Sequence, residues 1–439
     1  MKRTDFFGSL FLNNFLLFSK RYKGKGGCIL SIIRKRFRHL ALSKDLGLLL
    51  LIGGLYSLSV ALSNTFVNIF LWRQSGQFID LAVYNLTAVI FELLSYIAAG
   101  QCAKKVDRVV VLRMGVLFLG FFYVAVLFIG NQASDWIILL GALLGVGYGF
   151  YWLAYNVLTF EITEPETRDF FNGFFGSLLS MGGMIGPIVA GFIISRFASN
   201  TGYFIIFGAS LGCFFIAVLL SLLLKRRPSS GRFQLLEVWK ERDRHPDWKR
   251  VLNAHFFQGL REGVFVFVIS VFVFVTTGSE LALGTYGLVY SGVSFFSYSL
   301  AVKLVKKQYR KKVIFAGGIV LFLSLFLIIV DITFTRLLIY AAIIAIAYPF
   351  LLVPYLSMTY DVIGRSREAA ERRVEYIVVR EVFINVGRIV SILSFIVAIT
   401  LFDERESIPV LLVILGAGHS LIYLCIRKVN MQTVRDLVN

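Results

Sequence analysis

Apolar runs of about 20 residues recur along this chain from Gly47 almost to its C-terminus, and they constrain the fold more than any other feature. A helix of that length and composition crosses the hydrocarbon core of a bilayer, which is about 30 Å thick. The chain of 439 residues is 57% hydrophobic and 16% charged, more apolar than a soluble domain requires. Because the runs are continuous rather than alternating, they do not fit the strands of a membrane barrel. The sequence therefore predicts an all-α membrane protein.

Twelve such runs predict twelve transmembrane helices in two pseudo-symmetric bundles of six. In chain order the predicted spans are 47–72, 78–100, 109–130, 136–158, 170–195, 200–224, 251–276, 280–302, 313–332, 335–358, 376–400 and 407–427. A polar stretch at 225–250 separates two blocks of nearly equal length, as internal duplication would produce. We therefore predict a first bundle at 47–224, a linker at 225–250 and a second bundle at 251–427.

The segments outside the two bundles are basic. Residues 1–46 contain a short apolar run followed by a dense basic run, which predicts an interfacial or cytoplasmic N-terminal tail. A misassigned start codon, with residues 1 to about 33 absent from the protein, is the alternative. Residues 428–439 predict a second cytoplasmic tail. The linker mixes Leu235, Val238 and Trp239 with many charges, which is typical of an amphipathic helix on a membrane surface.

The net charge of +19 is unevenly distributed among the predicted loops. Lys and Arg collect in the linker and in the loops after the second and eighth spans. The loops on the other side hold four basic residues, Arg73, Arg196, Arg336 and Arg405. Cytoplasmic loops carry such an excess, so we predict a multi-pass protein of the cell membrane with both termini in the cytoplasm. This distribution of charge also argues against nucleic acid as the partner and indicates the lipid bilayer instead.

The segment after the second span runs from Gly100 through Lys104 to Asp107 and Arg108. It resembles the Gly and basic loop between helices 2 and 3 of the major facilitator superfamily. The resemblance implies a short turn whose charges dock against neighbouring helix ends and latch one conformation. The family normally has Asp four residues after the Gly, where this chain has Lys104. Asp107 is the candidate substitute.

The fifth predicted span carries small residues at the spacing of the superfamily's antiporter motif, G(x8)G(x3)GP(x2)GG, with one Gly replaced by Ala. They are Gly173, Gly182, Gly186, Pro187, Ala190 and Gly191. Small residues allow another helix to approach closely and Pro187 bends the helix, so we expect this span to pack against its counterpart in the other half. Ordinary small-residue packing is the alternative. The resemblance covers residues 47–427 and implies alternating access around a midplane site.

Charged side chains inside the predicted spans are candidates for substrate or ion coupling, because burying an ion in hydrocarbon costs several kcal/mol. They are Glu92 in the second span, Arg261 and Glu262 in the seventh, and Glu381 and Arg388 in the eleventh. Asn385 shares a helical face with Glu381 and Arg388. Glu92 is the main candidate for a protonatable coupling residue, since apolar surroundings favour a neutral carboxyl. For the other four charges, salt bridges that hold the seventh and eleventh spans together are the alternative.

Polar side chains in two further spans are expected to line a solute cavity. Asn64 and Asn68 share one face of the first span, and Trp152 and Asn156 lie in an aromatic part of the fourth. Interhelical hydrogen bonding and aromatic packing are the alternatives. The fourth span lacks the Arg that proton antiporters of the superfamily usually carry near its start.

Several functional classes have no support in the sequence. It contains no GxxxxGK[ST] phosphate loop, its four Cys residues form no CxxC pair, and its His residues are scattered. We therefore expect no enzyme site, cofactor or metal. We expect transport to draw its energy from a proton or other ion gradient. The prediction is a monomeric secondary transporter of a small solute, most consistent with ion-coupled efflux. A lipid or glycolipid flippase of the same superfamily and a membrane-embedded non-transport protein are the alternatives.

Overall fold

The computed structural model describes residues 44–162, 165–197, 200–225, 231–329 and 331–430. Helices dominate these residues, and no strand occurs among them. The first six are α1 (Lys44–Ser75), α2 (Phe78–Lys105), α3 (Arg108–Ile129), α4 (Ile137–Ile162), α5 (Pro165–Arg196) and α6 (Thr201–Ser221). The linker contains α7 (Leu235–Arg244). Then follow α8 (Pro246–Thr277), α9 (Glu280–Leu304), α10 (Arg310–Leu323), α11 (Phe326–Ile329), α12 (Phe334–Arg365), α13 (Arg373–Leu401), α14 (Glu404–Gly416) and α15 (Gly418–Ile426).

Ten helical stretches in the described part of the chain are long and apolar enough to cross a membrane. One of them, Arg108–Ile162, contains both α3 and α4, which a 3₁₀ turn at Gly130–Trp136 joins. The helix α9 is not among the ten, although its 25 residues suffice to span a bilayer, because its Tyr, Ser and Gly residues lower its hydropathy. With α3 and α4 separated and α9 included, the helices correspond to the twelve predicted spans.

Several helix ends differ from the predicted ones. The helix α2 continues to Lys105, so the segment from Gly100 to Lys104 is the last part of a helix and not a loop. The ninth span is divided at Ser324 into α10 and α11, and the twelfth at Ala417 into α14 and α15. Gly416 and Gly418 flank Ala417, and glycine is a poor helix former, which explains the second break.

Side-chain caps define how several helices begin. Asp107, Ser279, Thr333 and Asp403 each accept a hydrogen bond from a backbone N–H in the first turn of the following helix. Such caps satisfy donors that have no partner within the helix. Short capped turns place consecutive helices side by side in opposite directions, which is how a compact bundle of spans is built.

We call the end of the bundle where α2 meets α3 the basic end. At this end the linker helix α7 lies against the second half of the chain: Val238 is fully buried, and the Trp239 ring lies 5.4 Å from the ring of Phe383 on α13. Val238 belongs to a buried apolar cluster with Trp248 and Leu252 of α8. The linker thus contains a helix whose Val238 and Trp239 side chains contact the second half, while Leu236 is 72% exposed.

Two helix pairs make most of the contacts between the two halves of the chain, α5 with α9 and α2 with α13. Within the halves, α2 packs on α4 and α8 packs on α13. Charged residues on α2, α8 and α13 are thereby brought to one interface in the middle of the bundle.

Candidate functional site

Three charged side chains from three helices meet near the middle of the bundle. Arg388 on α13 donates from Nη2 to Oε2 of Glu262 on α8 at 2.8 Å. Its Nη1 lies 3.6 Å from Oε1 of Glu92 on α2. Each residue lies near the middle of its helix, and the exposed fractions of the Glu92, Glu262 and Arg388 side chains are 10%, 15% and 25%. One guanidinium is therefore shared between a carboxylate from each half of the chain.

Glycines bring the helices of this triad close together. A Cβ added at Gly145 or Gly149 of α4 would meet the backbone of Glu92 at 2.8 or 2.7 Å. A Cβ at Gly263 of α8 would lie 2.7 Å from the carbonyl oxygen of Arg388. Gly387 of α13 makes the reciprocal close approach to the backbone of Phe256. Small residues at a helix crossing are the usual means of close approach in membranes.

Of the other predicted site residues on α8 and α13, the structure brings Asn385 to Arg388. Asn385 is fully buried, and its side-chain oxygen accepts a hydrogen bond of 3.2 Å from Arg388. Glu381 pairs instead with Arg380, its neighbour in sequence. Arg380 also donates to the Tyr360 hydroxyl at 3.3 Å. Arg380 lies inside the predicted span 376–400 but was not among the predicted site residues.

Arg261 does not join the triad. Its guanidinium donates to the Tyr340 hydroxyl at 3.0 Å and lies over the Phe265 ring, 3.5 Å from the centroid. The neighbouring Glu262 points to the other side of α8, toward Arg388. The pair Glu262–Arg388 thus matches the alternative interpretation of salt bridges between the seventh and eleventh spans, while the contact with Glu92 adds a link to the first half.

Polar and aromatic side chains of the first half surround Glu92. The Trp152 indole donates to the Tyr56 hydroxyl at 3.0 Å, and Asn156 donates to the Tyr96 hydroxyl at 3.4 Å. Both tyrosines interact electrostatically with Glu92. Trp152 and Asn156 therefore lie in the shell around the buried carboxylate.

The two asparagines of α1 make hydrogen bonds between and within helices. The side-chain oxygen of Asn68 accepts from Asn85 of α2 at 3.0 Å. Its amide nitrogen donates to the backbone oxygen of Asn64 at 3.4 Å. Asn68 is buried. These contacts fit the predicted alternative of interhelical hydrogen bonding.

A second ionic contact between the halves lies at the basic end. Lys104 at the end of α2 pairs with Glu375 at the start of α13, with Nζ 3.2 Å from Oε1, and both side chains are buried. Lys104 also donates to the backbone oxygen of Glu371 at 2.5 Å. Gly100 provides space nearby, because a Cβ there would lie 2.9 Å from Val378. The basic residue at the family's Asp position therefore contacts the other half directly.

Asp107 and Arg108 act within the first half. The Asp107 side chain accepts from the backbone N–H of Val109 at 2.6 Å and caps α3. Arg108 pairs with Glu161 at the end of α4, 2.8 Å apart. The described hydrogen bond of Asp107 is therefore the cap of α3.

The motif on α5 divides between two partners. A Cβ at Gly186 would lie 2.7 Å from Ala61 of α1, and Gly182 is in similar contact with Ser57 of α1. Pro187 and Gly191 face α9 instead: a Cβ at Gly284 would lie 2.5 Å from the Pro187 oxygen, and one at Gly191 2.6 Å from the Glu280 oxygen. The surroundings of Gly173 lie outside the described residues. The motif therefore packs α5 against its own half and against the counterpart in the other half.

Within the residues that the structure describes, no group of three or more His, Cys, Asp or Glu side chains is arranged to hold a metal ion. The chemistry of the site is that of ion pairs and hydrogen bonds. Its groups can exchange a proton or bind a polar solute.

Comparison with known proteins identifies the family. The family model of the Major Facilitator Superfamily matches residues 46–392. A Bacillus subtilis (strain 168) protein, the uncharacterized protein YqgE, is 58% identical over 403 residues, which cover 92% of this chain and 94% of that protein. A Geobacillus stearothermophilus protein, the uncharacterized protein in the sodM 3′ region, is 62% identical over 165 residues, which cover 38% of this chain and 77% of that one.

Two solved structures share the fold. A bacterial homologue of the iron transporter ferroportin, in an outward-facing state with soaked iron, superposes with a TM-score of 0.63 at 15% identity, covering 87% of this chain and 98% of that one. The E. coli fucose:proton symporter FucP gives a TM-score of 0.62 at 14% identity, with 88% and 99% covered. At these identities the likeness extends to the fold alone.

Proposed function

Since this chain belongs to the Major Facilitator Superfamily and is a membrane transporter rather than an enzyme, we propose that it exports a small solute across the cell membrane in exchange for protons. The single observation that carries this proposal is the sharing of Arg388 between Glu92 and Glu262. It joins the two halves near the midplane, where the superfamily places its substrate sites.

The ion triad can couple ion binding to movement of the halves. While Glu92 is charged, its attraction to Arg388 opposes separation of α2 from α13. A proton on Glu92, or a solute that takes its place beside Arg388, removes that attraction. Glu262 then remains as the partner of Arg388, so the guanidinium is not left buried and unpaired. The halves are therefore released only when Glu92 is neutralised or displaced.

We propose that the basic end faces the cytoplasm. The described residues at this end include Lys104, Arg108, Lys311 and Arg372, in keeping with the excess of Lys and Arg in cytoplasmic loops. Both chain termini then lie in the cytoplasm of a cell with this protein in its cytoplasmic membrane. Since one chain supplies both halves of the site, we propose that the monomer transports.

The direction of transport is proposed from α5. The antiporter spacing is retained, and Pro187 and Gly191 lie at the α5–α9 contact between the halves. This is the position at which a bend in one helix can alter the packing of the halves. The retained motif at this contact supports exchange of a solute against an ion. We therefore propose export as the direction of transport.

The test begins by finding the solute. Cells that express the parent, Glu92→Gln or Glu404→Gln are compared by mass spectrometry of water-soluble compounds and lipids, inside the cells and in the medium. The compound exported by the parent is then followed in proteoliposomes under an imposed pH gradient. We expect the parent to respond to the gradient and Glu92→Gln to lose that response.

Glu404→Gln is the matched control, because Glu404 is exposed in the first turn of α14 and should behave as the parent does. Transport by Glu92→Gln that is as fast and as dependent on the gradient as that of the parent would contradict the role of Glu92. Accumulation of a lipid in place of a water-soluble solute would contradict the solute class and identify a flippase.

A further inference from the structure

A chain of hydrogen-bonded side chains runs from Glu262 toward the basic end. Gln258 donates from Nε2 to Oε1 of Glu262 at 2.9 Å, and its Oε1 lies 3.0 Å from Nδ1 of His255. Nε2 of His255 lies 3.2 Å from the hydroxyl of Thr359 on α12. That hydroxyl is also 3.1 Å from the backbone oxygen of Tyr355. The chain thus links the ion triad to the backbone of a second helix.

The members of this chain are enclosed by protein. His255 and Thr359 are fully buried, and Gln258 is 7% exposed. The Tyr355 ring covers the imidazole, with centroids 4.7 Å apart. Buried polar groups almost always find a hydrogen-bond partner, so each donor here must face an acceptor. The protons in the chain therefore have few permitted arrangements.

A charged Glu262 fixes one arrangement. A carboxylate only accepts, so Gln258 must turn its NH₂ toward Glu262 and its oxygen toward His255. The imidazole must then carry its proton on Nδ1, and the bare Nε2 accepts from the Thr359 hydroxyl.

A neutral Glu262 permits the reverse arrangement. Its carboxyl O–H can donate to the Gln258 oxygen once the amide has turned, and the NH₂ then donates to Nδ1 of His255. The imidazole carries its proton on Nε2 and donates to Thr359, whose hydroxyl donates to the Tyr355 oxygen. The net change is one proton gained by Glu262. The imidazole loses a proton at Nδ1, gains one at Nε2 and keeps its charge.

We propose that Glu262 is a second proton-accepting group of the transporter and that His255 is a positioning residue whose tautomer follows the protonation state of Glu262. The inference rests on the proposed proton coupling and extends it. Arg388 has two carboxylate partners, so it stays paired with Glu92 when Glu262 takes the proton, just as it stays paired with Glu262 when Glu92 takes it. The chain carries this change to Thr359, five residues beyond Pro354, where α12 already contains two prolines.

The charged and titratable groups around the chain come from five elements, of which α9 contributes Tyr290 and Tyr298 beside Glu262. Arg388 and Arg380 lie on α13, and Glu92 reaches Arg388 from α2. On α12, the Tyr348 hydroxyl donates to Glu262 at 3.3 Å and Tyr355 covers His255. His419 of α15 interacts electrostatically with Glu262. His419 is a second buried histidine near this chain, so the test must follow the signals of His255 itself.

The test is a nuclear magnetic resonance measurement on the full-length protein in lipid nanodiscs, with isotope-labelled histidine. The His255 signals are identified by their loss in His255→Gln. In alkaline buffer we expect the N–H signal at Nδ1, and in acidic buffer at Nε2. In Glu262→Gln we expect the tautomer to be the same at both pH values. His245, whose Nδ1 accepts from the backbone of Trp248, is the internal control and should not respond to this substitution.

One tautomer of His255 in the parent at both pH values, or a doubly protonated ring at both, would overturn the proposal. So would a switch that persists in a folded Glu262→Gln protein. If that variant does not fold, the titration of the parent decides alone. The experiment needs no substrate, so a His255 switch without pH-coupled transport would leave this inference standing and remove the proposed function.

Discussion

At the scale of single residues, Lys104 is the clearest departure from the family pattern. The family's Asp position holds a lysine here, and the structure supplies the opposite charge, Glu375, from the other half. The sequence pointed to Asp107 as the substitute for the missing acid, because Glu375 lies 271 positions from Lys104 and no local spacing points to it. The buried Lys104 is thus neutralised by an acid from the other half.

The first prediction concerns this buried pair. Lys104→Met removes the lysine that pairs with the buried Glu375 carboxylate. This should lower the free energy of unfolding by about 3–5 kcal/mol. Replacing both residues, as Lys104→Met with Glu375→Met, should restore most of that loss, because two apolar side chains need no partner. The thermal unfolding midpoint of the purified protein in detergent measures both effects.

An exposed pair of the same types provides the control. Lys240 and Glu237 on α7 lie 3.8 Å apart with 63% and 43% of their side chains exposed. Lys240→Met should change the stability by less than about 1 kcal/mol. A double variant at 104 and 375 that is as unstable as the single one would show that the pair does not act as a unit.

At the scale of helices, the glycine motif of α5 separates two kinds of contact. Gly186 packs on α1 within the first half, whereas Pro187 and Gly191 touch α9 in the second. The spacing alone predicted close packing but not its partner, because residues next to each other on a helix point in different directions.

The second prediction tests this packing. Gly186→Ala would place a methyl group 2.7 Å from the backbone of Ala61, and such overpacking should destabilise the protein by about 1–3 kcal/mol. Gly208→Ala in α6 is the matched control, because a Cβ there meets no atom within 4 Å. Thermal unfolding should place Gly186→Ala below the parent and Gly208→Ala at or above it. Equal midpoints for the two variants would contradict the close approach of α5 and α1.

The helices themselves could be predicted well, whereas the partners of their side chains could not. Apolar runs and charged loops located the twelve spans because the bilayer sets span length and loop charge, but they did not predict the breaks that divide the ninth and twelfth spans. Glu92 stood out as a buried acid, yet its partner Arg388 comes from the other half. Such pairs depend on which helix faces meet, and the glycines that bring them together, Gly145, Gly263 and Gly387, lie in runs where small residues are common.

At the scale of the whole molecule, the two halves contribute unequally to the site. The first half supplies one carboxylate, Glu92, and the second supplies Glu262, Arg388 and Asn385. Among the described residues, two ionic contacts between the halves run from α2 to α13, one near the middle of the bundle and one at the basic end, and a third joins Arg73 of α1 to Glu280 of α9 at the opposite end. If the halves rock as in alternating access, α2 and α13 must separate at the basic end when that end opens.

The last prediction tests this separation. In a protein whose four native cysteines are replaced, Lys104→Cys and Glu375→Cys are joined by a short bifunctional thiol reagent with a reducible bond. We expect the cross-link to stop transport of the solute in proteoliposomes, because it holds the basic end closed, and reduction to restore it. The control pair, Ser59→Cys with Ser210→Cys, joins α1 to α6 within one half, where the serines exchange hydrogen bonds of 3.0 Å with each other's backbone. This control should transport at the parent rate after cross-linking, since rigid-body movement of a half leaves its internal contacts unchanged. Full transport by the cross-linked 104–375 protein would mean that the basic end does not need to open between α2 and α13, and the solute path would then have to lie elsewhere in the bundle.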